Sequence, residues 1–433
     1  MGDASRLIRR LEDRTAKVAI VGQGYVGLPV AVRAAEVGFP VVGYDVSSTR
    51  IAALRDGRSY VEDVPDDRLR RALDAGYWPS ADPLDLRAFD VAVVTVPTPL
   101  REGSPDLSYI ETAVRDLASR LEPGALVVLE STTYPGTTEE LVRPILEATG
   151  MTAGDDFFLG YSPERIDPGN QEWTFVNTPK VVSGIDDESL RAVESFYGSL
   201  VDTVVPVGSP GEAELVKLLE NTFRHVNIAL VNELAMFARE LDVDIWSAID
   251  ATSTKPFGFM RFTPGPGVGG HCLPIDPSYL AWRVERRLGH RFRFVELAND
   301  VNSHMPEYVV SRIVAMLNGE RKAVRDARIL LIGFAYKSGT SDIRESPSLD
   351  VAVRLRDLGA DLRVHDDHLP AEADLGLEVE RVPCSDEELE RADLVVVLVD
   401  HPDLPLETIA ASAPLVLDTR ACLRGHDFRG ELL

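Results

Sequence analysis

The 433-residue sequence predicts an α/β protein in which two doubly wound parallel sheets are joined by a long central helix and a helical middle domain. Short apolar runs alternate with helical patterns near both ends of the chain, as is typical of parallel sheets covered by helices. Residues 212–241 contain neither Gly nor Pro and are apolar on all sides, which predicts one long helix buried on most of its faces. We therefore expect three domains, comprising residues 1–205, 206–318 and 319–433.

The first sheet is predicted from a strand, a turn, a helix and a second strand in succession. An apolar run over residues 17–21 ends in a glycine-rich turn, which is followed by a helical pattern over residues 28–37 and a strand over residues 41–45. This order is typical of a Rossmann-type dinucleotide site, in which glycines allow a tight turn and close approach to a pyrophosphate. The predicted cofactor contacts in the turn are Gly22, Gly24, Tyr25, Val26 and Gly27.

The acid at the end of the second strand favours NAD. Asp45 follows Gly27 by 18 residues and can accept hydrogen bonds from both ribose hydroxyls. Arg50 keeps NADP open as the alternative, because a nearby Arg can accommodate a 2′-phosphate. It is otherwise a solvated helix residue.

Two further strands, over residues 90–96 and 125–130, end in small side chains. Pro97 and Thr98 follow the first strand, and Ser131 and Thr132 follow the second. Ligands of doubly wound sheets bind outside the carboxyl ends of the strands, so we expect these four residues to face the cofactor.

The second sheet is predicted from four apolar runs in the last quarter of the chain. These runs cover residues 327–334, 362–366, 394–399 and 415–418, and a helical pattern covers residues 349–358. The pattern indicates a second Rossmann-type domain.

Composition excludes several classes of partner. The net charge of −25 argues against a nucleic-acid backbone or an anionic membrane as the ligand. No apolar run approaches the ~18 residues of a membrane span. The three cysteines show neither metal-binding spacing nor a disulfide framework, which is typical of a reducing compartment. We expect a cytoplasmic protein without a bound metal.

The Pro/Gly-rich stretch over residues 264–277 carries the candidate nucleophile, Cys272. Glycines let the backbone approach a ligand and prolines stiffen the loop, so it can hold one thiol rigidly. The alternative is a turn with a buried, inert Cys. A Cys/His pair with His271 is disfavoured, because adjacent residues of an extended loop point in opposite directions.

The long helix carries polar residues at helical spacing. Lys217, Asn221 and Arg224 lie at i, i+4 and i+7, on one face. The alternative is a solvated stripe in which Glu220 pairs with Lys217 or Arg224.

Six motifs together resemble the UDP-glucose/GDP-mannose dehydrogenase family, in the family's order and over nearly the whole chain. They are the glycine turn at 22–27, residues 130–138, residues 161–165, Lys217 with Asn221, residues 269–276 and residues 334–347. The resemblance implies oxidation of the C6 alcohol of a nucleotide sugar to a carboxylate, with two NAD per turnover.

Within the family, residues 162–170 and 269–277 are similar to the branch that acts on UDP-N-acetylhexosamines, with UDP-N-acetylglucosamine as the favoured substrate. The UDP-glucose branch has a serine and a lysine where this chain has His271 and Ile275, and an acid where it has Pro168. UDP-glucose and UDP-N-acetylmannosamine stay open as alternatives.

The reaction implied by the resemblance assigns a role to each candidate residue. Cys272 forms a thiohemiacetal and then a thioester, while Lys217 and Asn221 stabilise the oxyanion. Asp276 acts as a base or holds a water, or is a turn residue. Glu164 positions or activates the hydrolytic water, or pairs with Arg165. Thr132 orients that water beside the nicotinamide.

The resemblance also implies a substrate pocket with basic groups for the UDP diphosphate. Its predicted residues are Glu164, Arg165, Lys217, Asn221, Arg261, Phe262, Gly269, Lys337 and Arg420. Arg344 is expected to reach the cofactor, or to pair with Asp342. A homodimer or higher homo-oligomer is expected to form through the long helix.

Two other functional classes share parts of this pattern. A single-step hydroxyacid-type dehydrogenase would need neither Cys272 nor the second sheet, and it would yield one NADH per substrate. An NAD-sensing regulator would bind NAD without turnover, since fold does not dictate function.

Overall fold

The computed structural model describes residues 4–101, 103–167, 170, 172–270, 273–370 and 373–433. The chain divides into two compact units, which are described in turn. Unit 1 comprises Met1–Glu220 with Ser278–Gly289, and unit 2 comprises Asn221–Pro277 with His290–Leu433.

Unit 1 is an α/β unit. Its strands are β1 (Val18–Val21), β2 (Val41–Tyr44), β3 (Tyr77–Ser80), β4 (Val91–Val94), β5 (Leu100–Arg101), β6 (Ser104–Pro105), β7 (Leu126–Leu129), β8 (Phe158–Tyr161), β9 (Lys180–Gly184) and β10 (Val204–Pro206). Its helices are α1 (Ser5–Glu12), α2 (Gly27–Glu36), α3 (Ser48–Arg55), α4 (Asp66–Asp74), α5 (Ser108–Ala118), α6 (Arg143–Glu147), α7 (Asp187–Gly198) and the first part of α8 (Pro210–Glu240). A 3₁₀ turn covers Pro83–Leu86 and a π-helical turn covers Thr138–Val142.

The main sheet of unit 1 has the strand order β10-β9-β8-β7-β4-β1-β2-β3. Its central strands β1, β2, β4 and β7 are fully buried, because helices cover both faces of the sheet. Neighbouring strands run parallel except β8 and β9, which pair antiparallel. The described residues between β8 and β9 form no helix, and β9 returns antiparallel to β8 instead of after a crossover.

The reversal between β8 and β9 has a local consequence. Tyr161 of β8 pairs with Ser183 of β9, and the same register continued past the strand end places Glu164 opposite Lys180. The amino end of β9 therefore lies at the edge of the sheet where the other central strands have their carboxyl ends.

Unit 2 contains helices followed by a second sheet. Its helices are the rest of α8, α9 (Ile245–Ser253), α11 (Arg293–Gly319), α12 (Pro347–Asp357), α13 (Asp386–Arg391) and α14 (Leu406–Ser412), while α10 (Asp276–Leu288) belongs to unit 1 from Ser278 onward. Its strands are β11 (Arg328–Ile332), β12 (Asp361–His365), β13 (Glu380–Arg381), β14 (Leu394–Val397), β15 (Val416–Asp418) and β16 (Gly430–Leu432). The sheet order is β13-β12-β11-β14-β15-β16, with every pairing parallel.

The predicted α/β class with two doubly wound sheets is confirmed, and one expectation about α8 is wrong. The helix was expected to be buried on most faces, but Leu230, Leu234 and Phe237 are 43–54% exposed. These residues form an exposed stripe at helical spacing. No helix in the described ranges is long and apolar enough to cross a bilayer.

Candidate active site

The glycine turn in unit 1 has the geometry that a dinucleotide requires. Gly22 adopts φ +96°, and a Cβ there would lie 2.7 Å from the carbonyl oxygen of Thr95. A Cβ at Gly27 would lie 1.9 Å from the Gly22 carbonyl oxygen, so α2 begins in close contact with the turn. A Cβ at Gly24 would meet nothing within 4 Å, which leaves the backbone open to a phosphate at the start of the helix.

Asp45 is held at the end of β2 for ribose binding. Its Oδ2 accepts a hydrogen bond from the Gln23 amide at 2.9 Å, and its Oδ1 accepts one from the Ser47 amide at 2.8 Å. Each carboxylate oxygen can accept a further hydrogen bond. Arg50 Nη1 lies 3.6 Å from Asp45 Oδ2. Arg50, which was the reason to consider NADP, therefore pairs with Asp45, which favours NAD.

The residues after β4 and β7 lie at the same edge of the sheet. Thr98 follows β4, and its carbonyl oxygen accepts a hydrogen bond from Tyr279. Ser131 is buried after β7 and donates to the carbonyl oxygen of Val96 at 2.8 Å. Thr132 is partly exposed beside it. Parallel pairing of β4 with β7 brings the two segments together, as the sequence predicted.

Glu164 and Lys217 meet in unit 1. The Lys217 ammonium, 8% exposed, donates to the carbonyl oxygen of Glu164 at 2.6 Å. The Glu164 carboxylate turns back and accepts from the amides of Arg165 and Ile166 at 2.7 and 2.6 Å. Arg165 donates to Glu220 at 2.5 Å, so Glu220 does not pair with Lys217 and Glu164 does not pair with the Arg165 guanidinium.

Sequence reasoning missed three buried groups beside Glu164. Lys180 binds Glu164 Oε2 at 3.1 Å and also binds the carboxylate of Glu130. Tyr197 of α7 donates to Glu130 Oε2 at 2.6 Å. A lysine next to an apolar strand in a chain with only six lysines was the available signal.

In unit 2, Asn221 and Asp276 form a direct pair. The Asn221 amide donates to Asp276 Oδ2 at 2.5 Å, and both residues are buried. Asp276 begins α10 and is therefore not merely a residue of an exposed turn. Lys217 and Asn221 stand one turn apart along α8, as predicted.

The glycine loop before Cys272 is closely packed within unit 2. A Cβ at Gly269 would lie 2.5 Å from the Glu345 carbonyl oxygen, and one at Gly270 would lie 2.6 Å from the Tyr336 ring. Gly270 has φ +82° and donates its amide to the carbonyl oxygen of Arg344 at 3.2 Å. Cys272 and His271 themselves lie outside the described residues, as does Pro168.

A buried amide network anchors the start of the same loop, and sequence reasoning missed it too. Asn232 accepts from the Gly265 amide at 2.9 Å and donates to Asn302 Oδ1 at 2.9 Å. Asn302 donates in turn to the carbonyl oxygen of His225 at 3.3 Å. His225, Asn302 and Val268 also line a cleft of about 450 Å³. Burial lowers the pKa of His225, which keeps its imidazole neutral.

The predicted basic groups of unit 2 differ in their surroundings. Arg420 lies against Gly265, where a Cβ would come 2.3 Å from its Nη1, and it pairs with Asp400 at 3.2 Å. Lys337 is partly buried in the loop after β11. Arg344 pairs with Asp342, the alternative given for it above.

The remaining two predicted substrate residues, Arg261 and Phe262, lie near the exposed side of α8. Arg261 pairs with Asp250 at 2.8 Å and is about half exposed. The Phe262 ring packs edge-on against Phe223, with centroids 5.8 Å apart. Among the residues that the structure describes, no three His, Cys, Asp or Glu are grouped to hold a metal ion.

Comparison with known proteins identifies three successive domains of one family in this chain. Residues 16–201 match the NAD binding domain of the UDP-glucose/GDP-mannose dehydrogenase family. Residues 211–304 match the family's central domain, and residues 330–425 match its UDP binding domain.

Individual relatives extend over most of the chain. The chain is 35% identical over 425 residues to a UDP-N-acetyl-D-mannosamine dehydrogenase from Pyrococcus horikoshii, covering 96% of this chain and 98% of that protein. It is 38% identical over 359 residues to a UDP-N-acetyl-D-glucosamine 6-dehydrogenase from Pseudomonas aeruginosa, covering 82% and 84%. A solved structure of a UDP-D-ManNAc dehydrogenase from Pyrococcus horikoshii superimposes with a TM-score of 0.85 at 34% identity, covering 96% of this chain and 98% of that one.

The glycine turn with Asp45 fits NAD, and all three family domains follow one another in order. The chain therefore belongs to the UDP-glucose/GDP-mannose dehydrogenase family and is an NAD-dependent nucleotide-sugar oxidoreductase.

Proposed function

We propose that the protein oxidises the C6 alcohol of a UDP-N-acetylhexosamine to the carboxylate, with UDP-N-acetylglucosamine as its preferred substrate. The observation that carries the proposal is that both relatives described above bear the names of UDP-N-acetylhexosamine dehydrogenases. The match of residues 330–425 to a UDP binding domain supports the nucleotide part.

The proposed chemistry removes four electrons from each sugar. The alcohol loses a hydride from C6 and a proton from its hydroxyl to give an aldehyde. The Cys272 thiolate adds to the aldehyde carbon and the resulting oxyanion takes up a proton. This thiohemiacetal then loses a second hydride and a proton to give a thioester. Water then bonds to the acyl carbon, the C–S bond breaks, and the thiolate returns. NAD, when bound, supplies the hydride acceptor for both oxidations.

The residues of α8 suit oxyanion stabilisation. Lys217 uses one of its three N–H donors on the Glu164 carbonyl oxygen, which leaves two for a substrate oxygen. Asn221 uses one amide proton on Asp276 and retains the other. We assign Lys217 and Asn221 to the C6 oxygen and Asp276 to orienting Asn221 or a water.

The carboxylate of Glu164 suits the hydrolytic water. It is almost fully buried, and two backbone amides fix its orientation. An ionised carboxylate accepts a hydrogen bond from water and directs the oxygen lone pair to an acyl carbon. Thr132, partly exposed at the end of β7, is assigned to the same water.

Arg420 and Lys337 are the groups we assign to the UDP diphosphate. Arg420 lies against Gly265, and Lys337 lies in the loop that follows β11. Arg165 and Arg261 pair with Glu220 and Asp250, as Arg420 pairs with Asp400, and we assign them to the same substrate pocket. Arg344, which pairs with Asp342, is assigned to the cofactor. Phe262 and Gly269 complete the proposed substrate contacts.

The choice of sugar depends on the C2 substituent. An N-acetyl group adds an amide, so a pocket that accepts it must provide room and hydrogen-bonding partners. A substrate without that group leaves those partners unpaired, at a cost of about 1–3 kcal/mol. UDP-N-acetylmannosamine is the second candidate, because a relative that covers 96% of this chain bears that name.

A substrate panel tests the proposal. Purified protein is given NAD and, separately, UDP-N-acetylglucosamine, UDP-N-acetylmannosamine, UDP-glucose and GDP-mannose. We expect two NADH per sugar and a kcat/KM for UDP-N-acetylglucosamine at least about tenfold above that for UDP-glucose. Fastest oxidation of UDP-glucose or GDP-mannose would refute the substrate, and one NADH per sugar would refute the two-step chemistry.

We further propose that two chains assemble through the exposed face of α8 and that the chain folds as domains 1–205, 206–318 and 319–433. The apolar residues Phe223, Leu230, Leu234, Phe237 and Leu241 recur on this face. Exposed apolar patches of this kind mark protein interfaces. The cytoplasmic location expected from cysteine usage stays a prediction.

A further inference from the structure

Four residues of unit 1, Glu130, Glu164, Lys180 and Tyr197, form a buried charged cluster that we term the buried quartet. Their exposed fractions are 1%, 6%, 3% and 0%. Charges at this depth are costly unless they are paired and hydrogen-bonded. A buried ion pair also contributes little stability relative to well-packed apolar residues. The quartet therefore points to a role other than holding the fold together.

Strand pairing and two carboxylates position the Lys180 side chain. The antiparallel register of β8 and β9 places Lys180 opposite Glu164. Its ammonium binds Glu164 Oε2 at 3.1 Å on one side and Glu130 on the other. The rings of Phe175 and Tyr197 lie 5.5 and 5.3 Å from the ammonium, which is within range of cation–π attraction.

The two oxygens of Glu164 receive different partners. Oε1 accepts the amides of its own loop, from Arg165 and Ile166, and Oε2 accepts Lys180. Burial acts to raise the pKa of Glu164, but the Lys180 ammonium outweighs it, with help from Glu130 and Lys217, so the pKa lies below its ordinary value. Glu164 therefore stays ionised at neutral pH.

The second carboxylate of the quartet behaves differently. Burial raises the pKa of Glu130 to about 7, although Lys180 opposes the shift. Tyr197 donates to Glu130, and burial and Glu130 raise the Tyr197 pKa well above its ordinary value, so the phenol stays neutral. The other charged groups around Glu164 are Lys217, which binds its carbonyl oxygen, and Arg165, which is turned to Glu220.

We propose that Lys180 is a positioning residue for the hydrolytic step: it fixes the Glu164 carboxylate in its ionised form, while Glu130 and Tyr197 hold Lys180 in place. The inference rests on the proposed function, in which Glu164 directs water onto the acyl–Cys272 thioester. In that step the water oxygen bonds to the acyl carbon, the C–S bond breaks, the thiolate leaves, and the protons of water pass to solvent. A protonated Glu164 is a weaker hydrogen-bond acceptor and carries an O–H donor, so it no longer orients this water as the carboxylate does.

The test compares pH profiles of acid formation for the wild-type chain, Lys180→Met, Lys180→Arg and the double variant Lys180→Met/Glu130→Gln. Without the Lys180 ammonium, Glu164 and Glu130 lose the cation that binds both carboxylates, and the pKa of Glu164 rises although Lys217 is retained. For Lys180→Met we expect the acidic limb of kcat to move up by about one pH unit or more. Intact-protein mass spectrometry at pH 7 should show the acyl adduct on the protein, which disappears as the pH is raised.

The other variants separate this role from a structural one. Lys180→Arg should keep the acidic limb of kcat at its wild-type pH. The limb of the double variant should lie between those of the wild-type chain and Lys180→Met, because Glu130→Gln removes the charge repulsion on Glu164 but not its desolvation. If Lys180→Met fails to fold, the double variant still decides the question. Lys322→Met, at a half-exposed ion pair with Asp393, is the matched control and should leave the profile unchanged.

Two results would count against the inference. A loss of kcat by the same factor at every pH, with no acyl adduct, would overturn it and leave a structural role for Lys180. A wild-type chain that forms no acid from any UDP-sugar would instead overturn the proposed function, and the inference with it.

Discussion

Glu164 shows how a side chain can be prepared for its task largely by its own loop. The amides of the next two residues bind one carboxylate oxygen, and Lys217 binds the residue's carbonyl oxygen. Substrate is not needed to set this orientation. Preorganised groups of this kind avoid the cost of reorganisation during the reaction.

The thiol is the residue whose loss should be most damaging. We expect Cys272→Ala to lower acid formation on the order of 10³-fold or more, because no other group supplies the covalent step. Binding of NAD and UDP-sugar should be retained, since the thiol anchors neither ligand. A stopped assay of NADH release measures acid formation, and calorimetric titration measures the binding of NAD and UDP-sugar. Cys422→Ala is the matched control, because burial raises the pKa of that thiol and makes it unreactive.

The predicted residues lie on the expected elements where short-range spacing determines geometry, and their roles stay predictions. Lys217 and Asn221 share a helix, and Asp45 ends the strand beside the glycine turn, so local periodicity was sufficient. Lys180 could not be found in this way, because its partners come from three separate elements. Its position opposite Glu164 follows from strand pairing, which the sequence pattern does not contain.

At the scale of elements, the loop 264–270 depends on α8 and α11 for its position. Asn232 of α8 binds the Gly265 amide, and Asn302 of α11 binds Asn232. Glycines give this loop little side-chain packing of its own, so a few hydrogen bonds decide where it lies.

We therefore expect Asn232→Ala to reduce kcat about ten- to a hundredfold while the KM for NAD stays constant, because a small displacement of the loop misplaces the thiol. Steady-state kinetics with the best substrate of the panel measure both parameters. Asn227→Ala on the same helix is the matched control, since its amide binds only the carbonyl oxygen of Phe223 in its own helix. Equal losses in the two variants would show that the network has no special role.

Elements were predictable in proportion to their apolar content. Strands β1, β4 and β7 were predicted because each is an unbroken apolar run, and β2 because it follows the glycine turn and helix at the expected spacing. Strands β3, β8, β9 and β10 were not predicted; β3 and β10 contain Pro, and β9 begins at Lys180. The antiparallel pairing of β8 with β9 has no local signal at all.

At the scale of the molecule, the exposed apolar face of α8 supports the proposed assembly of two chains. Leu230, Leu234 and Phe237 are about half exposed in a helix that is apolar on all sides. A stable interface of standard size requires about 800 Å² from each partner, which a 31-residue helix and its neighbours can supply.

We expect the wild-type chain to elute at twice its 47.5 kDa mass or more in size exclusion with light scattering. Leu230→Glu/Phe237→Glu should yield monomers, because two charges would be buried without partners. Leu358→Glu, at an exposed leucine of unit 2 outside α8, is the control and should not change the mass. A monomeric wild-type chain would contradict the proposed assembly.

The reversal between β8 and β9 has a consequence for how such an enzyme can diversify. The register of β8 and β9 brings Lys180 towards Glu164, while the amides of Arg165 and Ile166 hold the Glu164 carboxylate. We expect exchanges after Ile166 and before Phe175 to leave the ion pair in register, whereas changes at Arg165 and Ile166 would disturb it. Related enzymes can therefore differ in sequence in this segment, and accept another sugar, while they retain the Glu164–Lys180 ion pair.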